Sequence, residues 1–188
     1  MRSELFGENL EAGTQDRFAL QNPRLLRIGL DGDVMARQGS MVAYQGSGGM
    51  GRFLKKSLTG EGVPLMKVSG RGELFLADDA SEIHLITLEG DSVTVNGRNV
   101  LAFDSALTWD IKKVEGASML AGGVFNTVFT GTGQVAITAH GTPVVLTVDA
   151  PTYADMQAAV AWSSSLATSV RRTAGAGALI GRGFVNGI

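Results

Sequence analysis

Residues 92–111, SVTVNGRNVLAFDSALTWDI, decide how this chain is read. Val93 and Val95 alternate with polar neighbours, the period of a half-buried strand. Asn96–Gly97 between Val-rich flanks is a two-residue hairpin signal, because both positions tolerate positive φ. Val100–Leu101–Ala102–Phe103 is then an apolar run closed by an aromatic, and that run recurs. Met41–Val42–Ala43–Tyr44 lies 103 − 44 = 59 residues earlier, and Ala159–Val160–Ala161–Trp162 lies 162 − 103 = 59 residues later. Leu107 falls on Leu166 and Ile111 on Val170 at the same spacing. Upstream, Ser69–Gly70–Arg71–Gly72 falls on Thr130–Gly131–Thr132–Gly133 at 131 − 70 = 61, each followed by an alternating run, ELFLA and QVAIT. A fixed offset of this kind marks internal repetition, and the opening stretch is the middle copy of three.

Outward from it, the chain reads as short strands. Asp16–Leu30 is strand, turn, strand about Asn22–Pro23, and Asp31–Gly32–Asp33 is a second turn. Val34–Tyr44 holds two short segments bent at Gly39. Strands resume at Val63 and continue through Glu82–Gly90, with Gly70, Gly72, Asp78, Asp79, Gly90 and Asp91 as punctuation. They return over 124–139 and 143–149. Residues 45–62 and Trp109–Gly123 are connectors. Residues 154–167, ADMQAAVAWSSSLA, hold good helix formers, but the alignment of Trp162 with Phe103 makes Ala158–Ala167 strand. The expected fold is all-β: a β-sandwich or prism built from three internal repeats of about 60 residues, units 17–69, 70–130 and 131–188 of one domain spanning 1–188. The third unit reads as incomplete. Its GRGFVNGI should lead to a Gly-x-Gly near 192, and the edge so left would need cover from a neighbour or from the N-terminus.

Composition sets the outer limits. With 188 residues, 44% of them hydrophobic, a core of ordinary size is available. Sixteen basic residues against 18 acidic ones give a formal charge of −2, which favours no global attraction to nucleic acid or an anionic membrane. There is no cysteine, hence no thiol chemistry or disulfide framework. MRSELFGENLEAG has acidic residues where a secretory signal needs a basic end followed by an apolar run, and no apolar stretch approaches the roughly 20 residues that span a bilayer. The expected location is cytoplasmic, at most peripheral to a membrane.

Several of these residues carry a family resemblance: Asn22, Leu26 and Ile28; Gly39–Ser40–Met41–Val42–Ala43; Gly60–Glu61–Gly62; Gly70–Arg71–Gly72; and Asn99–Val100–Leu101–Ala102–Phe103. Together they resemble the bacterial branch of the mitochondrial-biogenesis family called altered inheritance of mitochondria, member twenty-four. The likeness covers nearly the whole chain and rests on glycine and apolar patterns. It implies a β-sandwich like the fold of the tryptophan RNA-binding attenuation protein. It also implies a link, through fungal relatives, to inner-membrane organisation. It brings no active-site residues with it.

Motifs with chemistry are few. Gly46-x-Gly48-x-x-Gly51 fits the dinucleotide fingerprint, but no βαβ unit surrounds it and no ribose-binding acid follows about 20 residues on. A connector is the better reading. His84 and His140 are the only histidines, and their spacing to Asp78 and Asp79 matches no metal-ligand set. Ser163–Ser164–Ser165 lacks the Gly-x-Ser-x-Gly elbow of a hydrolase. No cofactor, metal or catalytic residue is therefore expected.

The recurring basic groups stand out instead. Arg52, Lys55 and Lys56, then Lys112 and Lys113, then Arg171 and Arg172 each precede a small-residue tail. Gathered by a threefold arrangement, they would contact an anionic surface such as lipid headgroups; solvated strand-end charge is the plainer alternative. The sequence thus points to a non-catalytic binding or scaffold protein, a homo-oligomer associated with a membrane surface. A small-molecule binder or enzyme is the alternative and an RNA-binding module the second, the latter disfavoured by few aromatics for base stacking.

Overall fold

Strand β2, Leu25–Arg37, shows why this sequence makes a sheet. Leu26, Ile28, Leu30, Val34 and Ala36 are buried while the residues between them are partly buried or exposed. That is the period-two pattern of a strand with one face on a core. The computed structural model describes residues 10–11, 13–46, 64–113, 125–172 and 183–187. The other strands are β1 Phe18–Asn22, β3 Met41–Gln45, β4 Leu65–Leu76, β5 Glu82–Asn96, β6 Val100–Asp104, β7 Thr108–Lys113, β8 Phe125–Ala139, β9 Thr152–Asp155, β10 Ala161–Ser163, β11 Thr168–Arg172 and β12 Gly183–Gly187. A 3-10 turn, Gly97–Asn99, is the one helical element among the described residues. The protein is all-β.

A nine-stranded antiparallel sheet runs β10-β5-β8-β6-β2-β4-β3, with β1 added on β2 and β7 on β8. A second sheet of three strands runs β11-β12-β9. The strands are longer than the glycine punctuation suggested. Gly32, Gly70, Gly72, Gly90, Gly131 and Gly133 all lie inside β2, β4, β5 and β8. Asp31–Gly32–Asp33 is therefore a mid-strand bend, paired with Arg71, Gly70 and Ser69. At Gly72 the bend depends on the missing side chain. Its φ is +141° and a Cβ there would sit 2.3 Å from the Gln45 carbonyl oxygen, so the end of β3 can cross the bend. The expected unit limits at 69/70 and 130/131 fall inside β4 and β8.

Four local expectations change. Asn96–Gly97 is a corner and not a hairpin: β5 pairs with β8 and β10, and β6 with β2 and β8. The Asn96 side chain accepts from the Arg98 N–H to start the 3-10 turn. Gly97 is needed for space, since a Cβ would meet the Phe125 carbonyl oxygen at 2.8 Å. Trp109–Gly123 begins as strand β7, with Trp109 opposite Phe129. Residues 143–148 form no strand, because no described strand lies beside them and Pro143 has no N–H to give a ladder. Within Ala158–Ala167 only Ala161–Ser163 is strand, between turns at 156–158 and 164–165. The helix formers there are overridden by pairing with β5.

The pairings recur at the sequence offset. β3 lies on β4 as Met41↔Leu76, Ala43↔Phe75 and Tyr44↔Leu74, irregular between 41 and 43. β6 lies on β8 as Val100↔Ile137, Ala102↔Ala136 and Phe103↔Val135, irregular between 100 and 102. Each partner is displaced by 59 on one strand and 61 on the other, bulge included. Likewise Met35↔Phe103 and Ala36↔Ala102 join β2 to β6, as Thr94↔Trp162 and Val95↔Ala161 join β5 to β10.

Two apolar clusters fill the interior. One centres on Phe18, Leu26, Ile28, Leu74, Leu76 and Leu101. The other centres on Val95, Phe103, Phe129 and Val135. In the second, Phe103 packs against Phe129 at 4.7 Å between ring centroids and meets Trp109 edge-on at 5.7 Å.

Candidate functional site

The chain crosses from one long hairpin to the next at two junctions, and polar side chains hold both. At the first, where β6 lies on β2, Arg37 ends β2 and its guanidinium reaches over the edge. Its Nε donates to the Val100 carbonyl at 2.9 Å. Its two terminal nitrogens contact the Arg98 carbonyl and the Asp78 carboxylate. Burial pushes the Arg37 pKa down from its ordinary value, and the neighbouring Asp78 charge opposes that shift. Ser105 Oγ donates to the Asp33 carbonyl at 3.0 Å, and Arg17 pairs with the buried Asp104 at 2.8 Å.

At the second junction, where β10 lies on β5, Asn96 holds the place of Arg37 at an offset of 96 − 37 = 59. Its Nδ2 donates to the carbonyls of Met156 at 3.0 Å and Ala159 at 3.3 Å. Ser164, in the place of Ser105, meets Thr94 hydroxyl to hydroxyl at 2.9 Å. Sequence reasoning missed Arg37 and Asn96. The signal was available: each is the polar residue closing an alternating strand, and they are spaced like Tyr44 and Phe103.

Of the basic positions, Lys112 and Lys113 end β7 opposite Asn126 and Phe125. Arg171 and Arg172 end β11 opposite Phe184 and Gly183. The two pairs occupy matching register places in two different sheets, and Lys112 is exposed. Arg52, Lys55 and Lys56 lie outside the described residues.

Three further ion pairs join β2 to β4. Arg27 bonds Glu73 at 2.6 Å in a part-buried pair, and Arg71 bonds Asp31 at 3.0 Å on the surface. Lys67 pairs with Asp33, and hydrogen bonds from Lys67 and Ser69 hold the Asp33 carboxyl below its usual range.

The residues considered for catalysis or metal lie apart from such work. Ser163 bonds Ser165 at 2.8 Å, and His84 lies 3.9 Å from Glu82. Among the described residues no three His, Cys, Asp or Glu side chains gather to hold a metal ion. No helix among them is long and apolar enough to cross a membrane.

Long, bent antiparallel strands, a 3-10 corner at Gly97–Asn99 and carbonyl-clamping side chains at two crossings define an all-β protein. The chain belongs to the family described as Mitochondrial biogenesis AIM24, whose profile matches residues 18–188. Its fold is similar to a crystal structure of a Streptococcus pyogenes protein, with a TM-score of 0.73 and 21% identity. That likeness covers 90% of this chain and 87% of the other. Comparison with curated proteins gives no match.

Proposed function

We propose that this chain is a non-catalytic binding or scaffold protein made of three copies of one β unit, and that it meets an anionic surface such as membrane headgroups through the basic ends of β7 and β11. The observation that carries this reading is recurrence. Lys112–Lys113 and Arg171–Arg172 close strands that pair with their neighbours in the same register. Arg52, Lys55 and Lys56 add a third basic group in the sequence of the first copy. A cation repeated at one end of successive copies makes a patch even on a chain of net charge −2. Each such cation contributes about 1 kcal/mol near an anionic leaflet.

Recognition on the outside also suits the interior, where apolar side chains from Phe18 to Ile137 fill the space between strands. The protein acts as a homo-oligomer, pairing through β3, which among the described residues ends the nine-stranded sheet with Val42 61% exposed.

Co-sedimentation with phosphatidylcholine vesicles containing phosphatidylserine tests the surface. Binding at low salt, lost in the variant carrying Lys112→Glu, Lys113→Glu, Arg171→Glu and Arg172→Glu, is the expected result. No pelleting at low salt, or pelleting undiminished by the four reversals, would overturn it.

A further inference from the structure

We infer that the two junctions form a graded latch: the chain opens at the second while the first stays shut, with Asn96 as the residue that holds the opening part closed.

The two junctions share a register and differ in chemistry. At the first, a charged guanidinium grips two carbonyls and is itself anchored by Asp78. Hydrogen bonds involving a charged group are roughly twice as strong as neutral ones. The strand that Arg37 holds, β6, is wholly buried and paired on both sides, with β2 and β8. At the second, a neutral amide grips the Met156 and Ala159 carbonyls, with the Asn96 N–H donating to the Val160 carbonyl at 2.9 Å. The strand it holds, β10, has three residues, is only partly buried and pairs on one side with β5. Residues 152–155, before β10 in the chain, and residues 168–172 and 183–187, after it, form their own sheet. Among the described residues no strand pairing ties that sheet to the other nine strands, and the β10 pairing and the Asn96 clamp hold this part of the chain on β5.

At the place that Arg37 and Asn96 occupy, the next copy carries Asp155, at 155 − 96 = 59. A carboxylate cannot donate to carbonyls; Asp155 accepts from the Gln157 N–H instead. The clamp therefore weakens along the chain from guanidinium to amide to none. Local opening is drawn from the least-held elements of a fold. Once β10 lifts, the outer edge of β5 at Val93–Val95 is left as an unpaired strand edge.

Hydrogen exchange of the whole chain, read by mass spectrometry, tests this. In the wild type, amides of 161–163 should exchange at least about tenfold faster than those of 102–104. Asn96→Ala should speed 161–163 and 152–158 by roughly a further tenfold and leave 102–104 and 28–36 unchanged. Asn96→Asp, which keeps the acceptor for Arg98 and loses the donor, should do the same. Equal protection of 161–163 and 102–104 in the wild type overturns the inference, and that comparison needs no variant to fold. So does a uniform loss of protection across both junctions in either variant.

Discussion

The β5–β8 pair and the β9–β12 pair start from comparable sequence and end as different structures. β5 and β8 are zipped from Glu82↔Ala139 to Asn96↔Asn126. β9 and β12 meet only from Thr152↔Gly187 to Asp155↔Phe184. The residues preceding β9 show the consequence. Leu85 and Ile86 in β5 pack against the two clusters, whereas Val144 and Val145, 59 positions on, are 81% and 95% exposed. Phe103 is fully buried against two aromatic rings, while its counterpart Trp162 is only half-buried. Apolar character alone does not bury a strand. A partner strand must satisfy its backbone before the side chains can be covered.

The comparison can be broken most sharply at its aromatics. Phe103→Ala should cost about 3–5 kcal/mol in urea unfolding, through the cavity left beside Phe129 and Trp109. Trp162→Ala should cost about 1 kcal/mol, in proportion to its partial burial. Equal costs would mean that the two positions share one environment after all.

A smaller effect is expected at the first junction. Arg37→Ala should cost about 2–3 kcal/mol by the same measurement, because it leaves the Val100 and Arg98 carbonyls and Asp78 without their donor. Arg37→Lys should recover only part of this, since an ammonium lacks the planar fork that reaches three acceptors. Smallest of all, Val145→Ser should change stability by less than about 0.5 kcal/mol, as for other exposed sites. The matching change Ile86→Ser should cost about 1–2 kcal/mol. A large cost at Val145 would show that its segment is covered in solution.

Much of the architecture was legible because it rests on period and offset. The alternation of Leu26, Ile28 and Leu30 is a property of adjacent residues, and the match of Tyr44, Phe103 and Trp162 needs only counting. The candidate site was less legible. Lys112 and Arg171 announce themselves by charge, but Arg37 and Asn96 are ordinary polar residues until the fold carries carbonyls from 63 residues away to within reach. Asn96–Gly97 misled for a related reason. A strong turn dipeptide fixes that the chain changes direction, and the partners available on either side fix whether it returns on itself. With β8 and β10 taking the edges of β5, a hairpin had no place to form.

The sequence by itself determined an all-β chain and the 59-residue recurrence of its apolar runs, because side-chain period acts locally. Only the tertiary structure decided which strands run on through their glycines, which apolar runs find a partner, and which polar side chains clamp the crossings. Those outcomes depend on backbone hydrogen bonds between residues distant in the chain, and a one-dimensional pattern does not specify them.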